Sequence, residues 1–267
     1  MPKRVLITGA AGRIGTVLRN HLSDYGDYEL TLVDIKPTDG GIRPDVARNY
    51  DGLLDAMRGQ DAVVHLAWDG RENFREKSSP IPGNKKMAEN VYKAALETNP
   101  SPKLIVASSV HAVGGYTDFT RPPYSYIAKR EFEELDIMIM PEMITSDMAV
   151  FPDSPYGASK VYIEALGRYY STKGLQVMCI RFGEVNPEDK ILEEEGWSYH
   201  SSWLSHRDCA QFVSRCIEVD LPRSYFAVFF AVSGNAYRVF DITDAKGFLG
   251  YSPQDDAEKF FRNMNQK

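Results

Sequence analysis

Two tyrosine–lysine pairs, Tyr156 with Lys160 and Tyr169 with Lys173, are the side chains in this sequence best suited to moving a proton. Their spacing places both members of a pair on one face of a helix. A phenol with a free pKa of ~10 is a weak base near neutrality, and a nearby ammonium favours its phenolate. Such a pair can take the proton of a hydroxyl while the same carbon gives up a hydride. A third group must hold the reacting oxygen. Ser108, Ser109 and His111 follow the short apolar run from Leu104, and Ser109 is the candidate. The competing reading of Ser109 is a strand-end hydroxyl that satisfies backbone. His111 could touch a substrate or merely fill the strand end.

One of the two tyrosine pairs is placed by its helix start. Ser154 and Pro155 are an N-cap followed by a first-turn proline, so Tyr156 sits at the end of the helix. Tyr169 lies ~20 Å further along the axis and reads as a surface or packing residue.

The elements that position these groups alternate along the chain. Arg4 to Thr8, Glu29 to Asp34, Ala62 to Ala67, Leu104 to Ser108, Gln176 to Arg181 and Ser224 to Val232 read as strands. Helices are expected near Arg13 to Ser23, Tyr50 to Met57, Asn84 to Glu97, Pro155 to Lys173 and Asp208 to Cys216, with a small helical cap over Asp241 to Leu249. Continuous apolar strands fit a parallel sheet covered on both faces, hence an α/β, doubly wound (Rossmann) fold. Residues 1–182 would form its dinucleotide-binding domain. Residues 183–267 would form a smaller substrate-binding portion, partly interleaved with it. Tyr116 to Pro155 and Asn186 to Ser205 break the alternation and read as long loops, which usually carry function.

The first strand runs into Thr8-Gly-Ala-Ala-Gly-Arg-Ile-Gly15 and then a helix. Gly9 permits the tight turn, Gly12 lets backbone N–H groups approach a pyrophosphate, and Gly15 lets the helix pack on the strand. Arg13 and Ile14 belong to the same loop, and the helix N-terminus faces the anion. Asp34 closes the second strand, where a carboxylate can hold the adenosine ribose and disfavour a 2′-phosphate. The expected cofactor is therefore NAD, with Tyr156 and Lys160 at its nicotinamide end.

Composition narrows the partners. Lys and Arg total 31 against 37 Asp and Glu, a formal charge of -6 that makes no broad basic surface for nucleic acid. No apolar run reaches membrane-span length, and no signal-peptide pattern precedes the first strand. Cys179, Cys209 and Cys216 form no CxxC pair and read as packed thiols in a reducing cytoplasm. His200, His206 and Asp208 fit a loop and a helix start better than a metal site, so no metal is expected.

With Thr8 to Gly15, Asp34, Asp45-Val46, His65-Leu-Ala, Ser108-Ser-Val-His and Tyr156-Gly-Ala-Ser-Lys160 in order, the chain resembles the extended short-chain dehydrogenase/reductases, the NAD-dependent epimerase/dehydratase family. Trp203-Leu-Ser-His-Arg-Asp208 and Gly247-Phe-Leu-Gly-Tyr-Ser-Pro253 make it similar to the compact uronate dehydrogenases and haloarchaeal glucose-6-phosphate dehydrogenases within that family. The resemblance implies that Asp45 and Val46 lie by the adenine, Leu66 and Ala67 by the nucleotide, and Asn84 near the catalytic centre. It implies oxidation of a sugar at its anomeric carbon, and relatives often form homodimers through the helices around Asn84 and Tyr156. Three positions depart from the pattern: Val110 replaces an Asn, Glu184 a small Ser, and Ser198 the Arg that meets a uronate carboxylate. Arg71, Lys85, Lys86 or Arg121 could replace that Arg, although each reads as solvated charge. Glu184 could instead bind neutral sugar hydroxyls. The leading reading is an NAD-dependent sugar dehydrogenase using Ser109, Tyr156 and Lys160. The alternatives are a nucleotide-sugar epimerase, for which the region after Arg181 is short, and a non-catalytic NAD-binding regulator.

Overall fold

The computed structural model of the protein describes residues 1–70, 82–129, 131, 142–191 and 197–259. Six strands, β1 (Lys3–Thr8), β2 (Tyr28–Val33), β3 (Ala62–His65), β4 (Lys103–Ser109), β5 (Gln176–Phe182) and β6 (Tyr225–Ala231), form one sheet in the order β2-β1-β3-β4-β5-β6. Every pairing is parallel. The order turns back between β1 and β3, and ligands of open α/β sheets bind outside the carboxyl ends of the strands at such a point.

Successive strand residues point to opposite faces, and both faces here are apolar. Val5 and Ile7 of β1 join a core with Ile105, Met178 and Ile180, while Leu6 joins a second core with Leu104, Val106 and Val177. Helices α1 (Arg13–His21) and α7 (His206–Glu218) cover the first face; α2 (Tyr50–Met57), α3 (Pro82–Glu97) and α5 (Pro155–Ser171) cover the second. The expected doubly wound sheet is therefore present. β6 and α7 come from the 183–267 portion and complete the same sheet.

The boundaries differ in ways that matter for the site. β3 stops at His65, so Leu66 and Ala67 lie beyond the strand, and β4 continues through Ser109. The segments read as loops contain two short helices, α4 (Tyr124–Lys129) and α6 (Trp197–Ser202). Six residues carry too little periodic signal to stand out from a loop. Near the end, the cap expected over Asp241 to Leu249 is one π-helical turn, Ala245–Leu249, closed by Gly250 at φ 69°.

Asp208 ties the start of α7 to the residues that directly follow Gly247 to Pro253. Its buried carboxylate accepts from the Ser233 hydroxyl at 2.6 Å and from the backbone N–H groups of Gln254 and Asp255 at 2.8 and 3.1 Å. Ser205 caps α7 by accepting from the Asp208 N–H at 3.2 Å. The Tyr251 hydroxyl donates to the Val232 carbonyl at 2.9 Å. These bonds pin the tail to α7 and β6.

Candidate active site

The glycine loop packs against the end of β3. Gly9 has φ 74°, and a Cβ there would stand 2.6 Å from Ala67 N. A Cβ on Gly15 would stand 2.4 Å from the Gly9 carbonyl oxygen. No side chain caps α1, whose Ncap is Gly12, so its first-turn N–H groups face outward as an anion site. Asp34 braces this loop: its Oδ2 accepts from Ala11 N at 2.9 Å and its Oδ1 from Lys36 N at 2.8 Å.

Two cavities meet over the loop. One of ≈ 660 Å³ is lined by Asp34, Asp45, Val46 and Ala67 among others, and one of ≈ 400 Å³ by Arg13, Ile14, Gly15, Ser109, Tyr156 and Lys160 among others. Gly9, Gly12, Leu66, Trp68 and Gly70 line both. The result is a two-lobed groove with an anion-binding helix start at its waist, the shape and polarity that a dinucleotide requires. The residues present thus fit NAD.

Backbone clips support the first lobe. Asp45 accepts from Ala47 N at 2.9 Å within its own turn, and Asn90 of α3 donates to the carbonyls of Val46 and Ala47 at 2.8 and 3.1 Å. Buried Asn84 accepts from Asp69 N at 2.7 Å and donates to Asp69 O at 3.3 Å, tying α3 to the loop after β3. Asn84 thus supports the wall of the groove from behind.

Under the waist, the Thr8 hydroxyl accepts from Ala67 N at 3.3 Å and contacts His65 Nδ1 at 2.7 Å. Burial, aided by the charge of Lys160, lowers the His65 pKa to about 3, so it is neutral.

The second lobe brings Ser109, His111, Tyr156, Lys160 and Glu184 to one cavity. Ser154 starts α5 by accepting from Gly157 N at 3.1 Å. A Cβ on Gly157 would lie 2.2 Å from the His111 carbonyl, so only glycine lets Tyr156 approach the turn Val110–Ala112 this closely. Lys160 is 4% exposed; its Nζ donates to Ala107 O at 3.1 Å, and lies 3.7 Å from the Trp68 ring centroid and 5.5 Å from that of Tyr156. The Tyr156 ring meets Trp68 and His111 edge-on at 5.7 and 5.6 Å. Ser109 Oγ accepts from His111 N at 3.3 Å, which uses a lone pair and leaves its proton able to donate into the cavity. The backbone and binding readings of Ser109 are thus compatible.

Asp153 and Glu184 flank His111. Asp153 Oδ2 lies 2.6 Å from Nδ1 and Glu184 Oε1 4.0 Å from Nε2. Burial pushes the Asp153 carboxyl up, but its bonds to His111 and the Ser154 hydroxyl outweigh this and hold it below the usual carboxylate value. Behind the cavity, Glu164 of α5 accepts from Arg181 Nε and Nη2, both at 2.9 Å, and from the Ser108 hydroxyl at 2.6 Å.

The other residues considered at the sequence level fall elsewhere. Tyr169 is 55% exposed, with Lys173 Nζ 5.3 Å from its ring centroid. Lys85 and Lys86 are exposed on α3, and the Arg121 side chain is 83% exposed beside Asp118. Arg71 and the side chain of Ser198 lie outside the described residues. His206 donates from Nε2 to Asn186 O at 2.7 Å, Asp208 binds the tail, and no metal-binding group of His, Cys, Asp or Glu occurs among the described residues. No described helix is long and apolar enough to cross a membrane. Trp68, Asp153 and Glu164 were not singled out by sequence reasoning. Glu164 was readable, since it follows Lys160 by four residues and shares its helix face; the partners of Trp68 and Asp153 are distant in sequence and left no local sign.

Residues 5–188 match the NAD dependent epimerase/dehydratase family. The chain is 31% identical to the NAD-dependent glucose-6-phosphate dehydrogenase of Haloferax volcanii, over 97% of this chain and 96% of that one. It is 33% identical to the L-arabinose 1-dehydrogenase (NAD(P)(+)) of the same organism, over 95% and 97%. Its fold superposes on a mutant of the uronate dehydrogenase of Agrobacterium tumefaciens complexed with NAD, with TM-score 0.74, 27% identity and coverage of 100% of this chain and 90% of that one.

Proposed function

Because the chain belongs to the NAD dependent epimerase/dehydratase family, we propose that it oxidises a sugar or sugar derivative at its anomeric carbon, with NAD as hydride acceptor. The observation that carries this reading is the gathering of Ser109, Tyr156 and Lys160 around the lobe of the groove opposite Asp34. When bound, NAD supplies the site that accepts the hydride from the carbinol carbon. Ser109 donates a hydrogen bond to the reacting oxygen and fixes its position. Tyr156 takes the hydroxyl proton as its phenolate, which the Lys160 ammonium favours. The carbonyl of Ala107 and the Trp68 ring face hold that ammonium in place. Gly9, Gly12, Arg13, Ile14 and Gly15 receive the pyrophosphate, Asp34 the adenosine ribose, and Asp45, Val46, Leu66 and Ala67 line the adenosine half, with Asn84 supporting it. His111 and Glu184 face the sugar.

The similarity to sugar dehydrogenases over nearly the whole chain supports turnover of a sugar rather than a regulatory role. A homodimer in a reducing compartment such as the cytoplasm extends the reading: Leu96 of α3 and Tyr169 of α5 present exposed apolar surface, and the three cysteines are buried and free. The test is NADH formation with aldoses, uronates and sugar phosphates, repeated with Tyr156→Phe. That variant should lose about 10²–10⁴ in kcat while NAD affinity stays within about twofold. An unchanged rate, or epimerisation of a nucleotide-sugar without net NADH, would remove the proposal.

A further inference from the structure

Glu184 sets a carboxylate at the sugar end of the groove. The backbone around Glu184 is held from two sides: its N–H donates to Ser202 O at 2.9 Å and its carbonyl accepts from Leu204 N at 2.8 Å. Gly183 adds rigidity, since a Cβ there would meet the Ser202 carbonyl at 1.9 Å. The carboxylate therefore stands on a fixed ledge two residues past β5, whose Phe182 pairs in register with Ser109. Its side chain is 28% exposed, and it lines the cavity with Ser109, His111 and Tyr156. On the far side of the imidazole, Asp153 is kept ionised by its bonds to His111 and Ser154.

Two carboxylates thus bracket a single imidazole. The cations lining the cavity among the described residues are Arg13, whose Nη1 is bonded to Val185 O at 3.0 Å, and Lys160, which is buried beside Tyr156. Arg13 thus reaches the residue next to Glu184 but spends Nη1 on that backbone carbonyl, while Lys160 is held on the side of the proton-transfer pair. A carboxylate or phosphate on the sugar would have to approach Glu184 as a like charge. At ~4 Å, Coulomb's law sets that repulsion between about fivefold and about a thousandfold in affinity, depending on screening. A carboxylate is also a pure acceptor able to take two hydroxyl donors in a charge-assisted way, which neutral polyols supply.

We infer that Glu184, backed by the Asp153–His111 pair, selects uncharged aldoses and rejects uronates and sugar phosphates. The inference rests on the dehydrogenase reading above and specifies its substrate class. Glu184 binds adjacent hydroxyls of the ring and so orients the anomeric carbon toward Tyr156 and Ser109.

The test compares matched sugars on the full-length protein with saturating NAD: glucose, glucuronate and glucose 6-phosphate, then galactose and galacturonate. The neutral member of each set should show at least about tenfold higher kcat/KM, and the margin should shrink as salt rises, because screening weakens like-charge repulsion. Glu184→Gln should narrow the ratio of neutral to anionic kcat/KM by about tenfold, chiefly through KM. Should that variant fold poorly, the salt dependence of the unmodified enzyme reads the same repulsion. An anionic sugar turned over as well as or better than its neutral partner overturns the inference and leaves the dehydrogenase reading standing. A ratio unmoved by both Glu184→Gln and salt also overturns it. NADH formation from no sugar of any charge overturns the dehydrogenase reading and this inference with it.

Discussion

Replacing Glu164 by Gln should destabilise the protein far more than its position behind the site suggests. The Glu164 side chain is 6% exposed and that of Arg181 2%, and the two form a bidentate pair with both contacts at 2.9 Å. Arg181 Nη1 is buried without a hydrogen-bond partner, so this one carboxylate compensates almost the whole desolvated guanidinium. Removing one member of a buried ion pair costs about 3–5 kcal/mol, a large part of the ~5–15 kcal/mol that stabilises a typical domain. Gln keeps one acceptor oxygen and should lie near ~3 kcal/mol, whereas Glu164→Leu should reach the upper end. At ~2–4 °C per kcal/mol for chains near this size, Gln lowers Tm by about 6–12 °C. Replacing both partners, Glu164→Leu with Arg181→Met, removes the stranded charge and should recover most of the loss. Urea denaturation followed by circular dichroism measures all three variants. The reasoning fails if Glu164→Gln costs under ~1 kcal/mol, or if the double variant is no more stable than the single ones.

Three further outcomes are expected. Gly15→Ala sets a Cβ 2.4 Å from the Gly9 carbonyl, so the phosphate loop must open, and titration calorimetry should show NAD affinity reduced by at least about tenfold. Asp34→Ala removes both the proposed ribose ligand and the acceptor for Ala11 N, so NAD should weaken by about tenfold or more while NADP weakens less; an unchanged NAD to NADP ratio in steady-state kinetics would exclude that role. His65, with a pKa lowered to about 3 by burial, rejects a proton that the unfolded chain binds below ~6.5. Its contribution is therefore present above that pH and is lost as pH falls toward 3. Between pH 7 and pH 5 the protein should lose about 2 kcal/mol more than a His65→Asn variant does, and parallel urea midpoints in the two proteins would contradict this.

The waist of the groove was almost wholly legible from the sequence. Its function depends on backbone: glycines at fixed spacing, a helix start and an acidic residue after the next strand are local requirements that leave a local pattern. Tyr156 and Lys160 were legible for the same reason, because one helix and one cap set both. The doubly wound sheet followed from apolar runs covered on both faces. The short helices α4 and α6 did not, because their few residues carry no resolvable period.

What the tertiary structure decided are the pairings between distant segments. Trp68 meets Lys160, Asp153 meets His111, Glu164 joins Ser108 to Arg181, and Asp208 collects the tail. None of these contacts is implied by residue type or spacing, since each depends on how the strands order and how closely Gly157 and Gly183 let backbones approach. Sequence alone thus determined that the glycine loop and the Tyr156–Lys160 pair share one end of the sheet, because those needs are local. The charge facing the sugar is a sum over side chains from several elements, and only their packing fixes it.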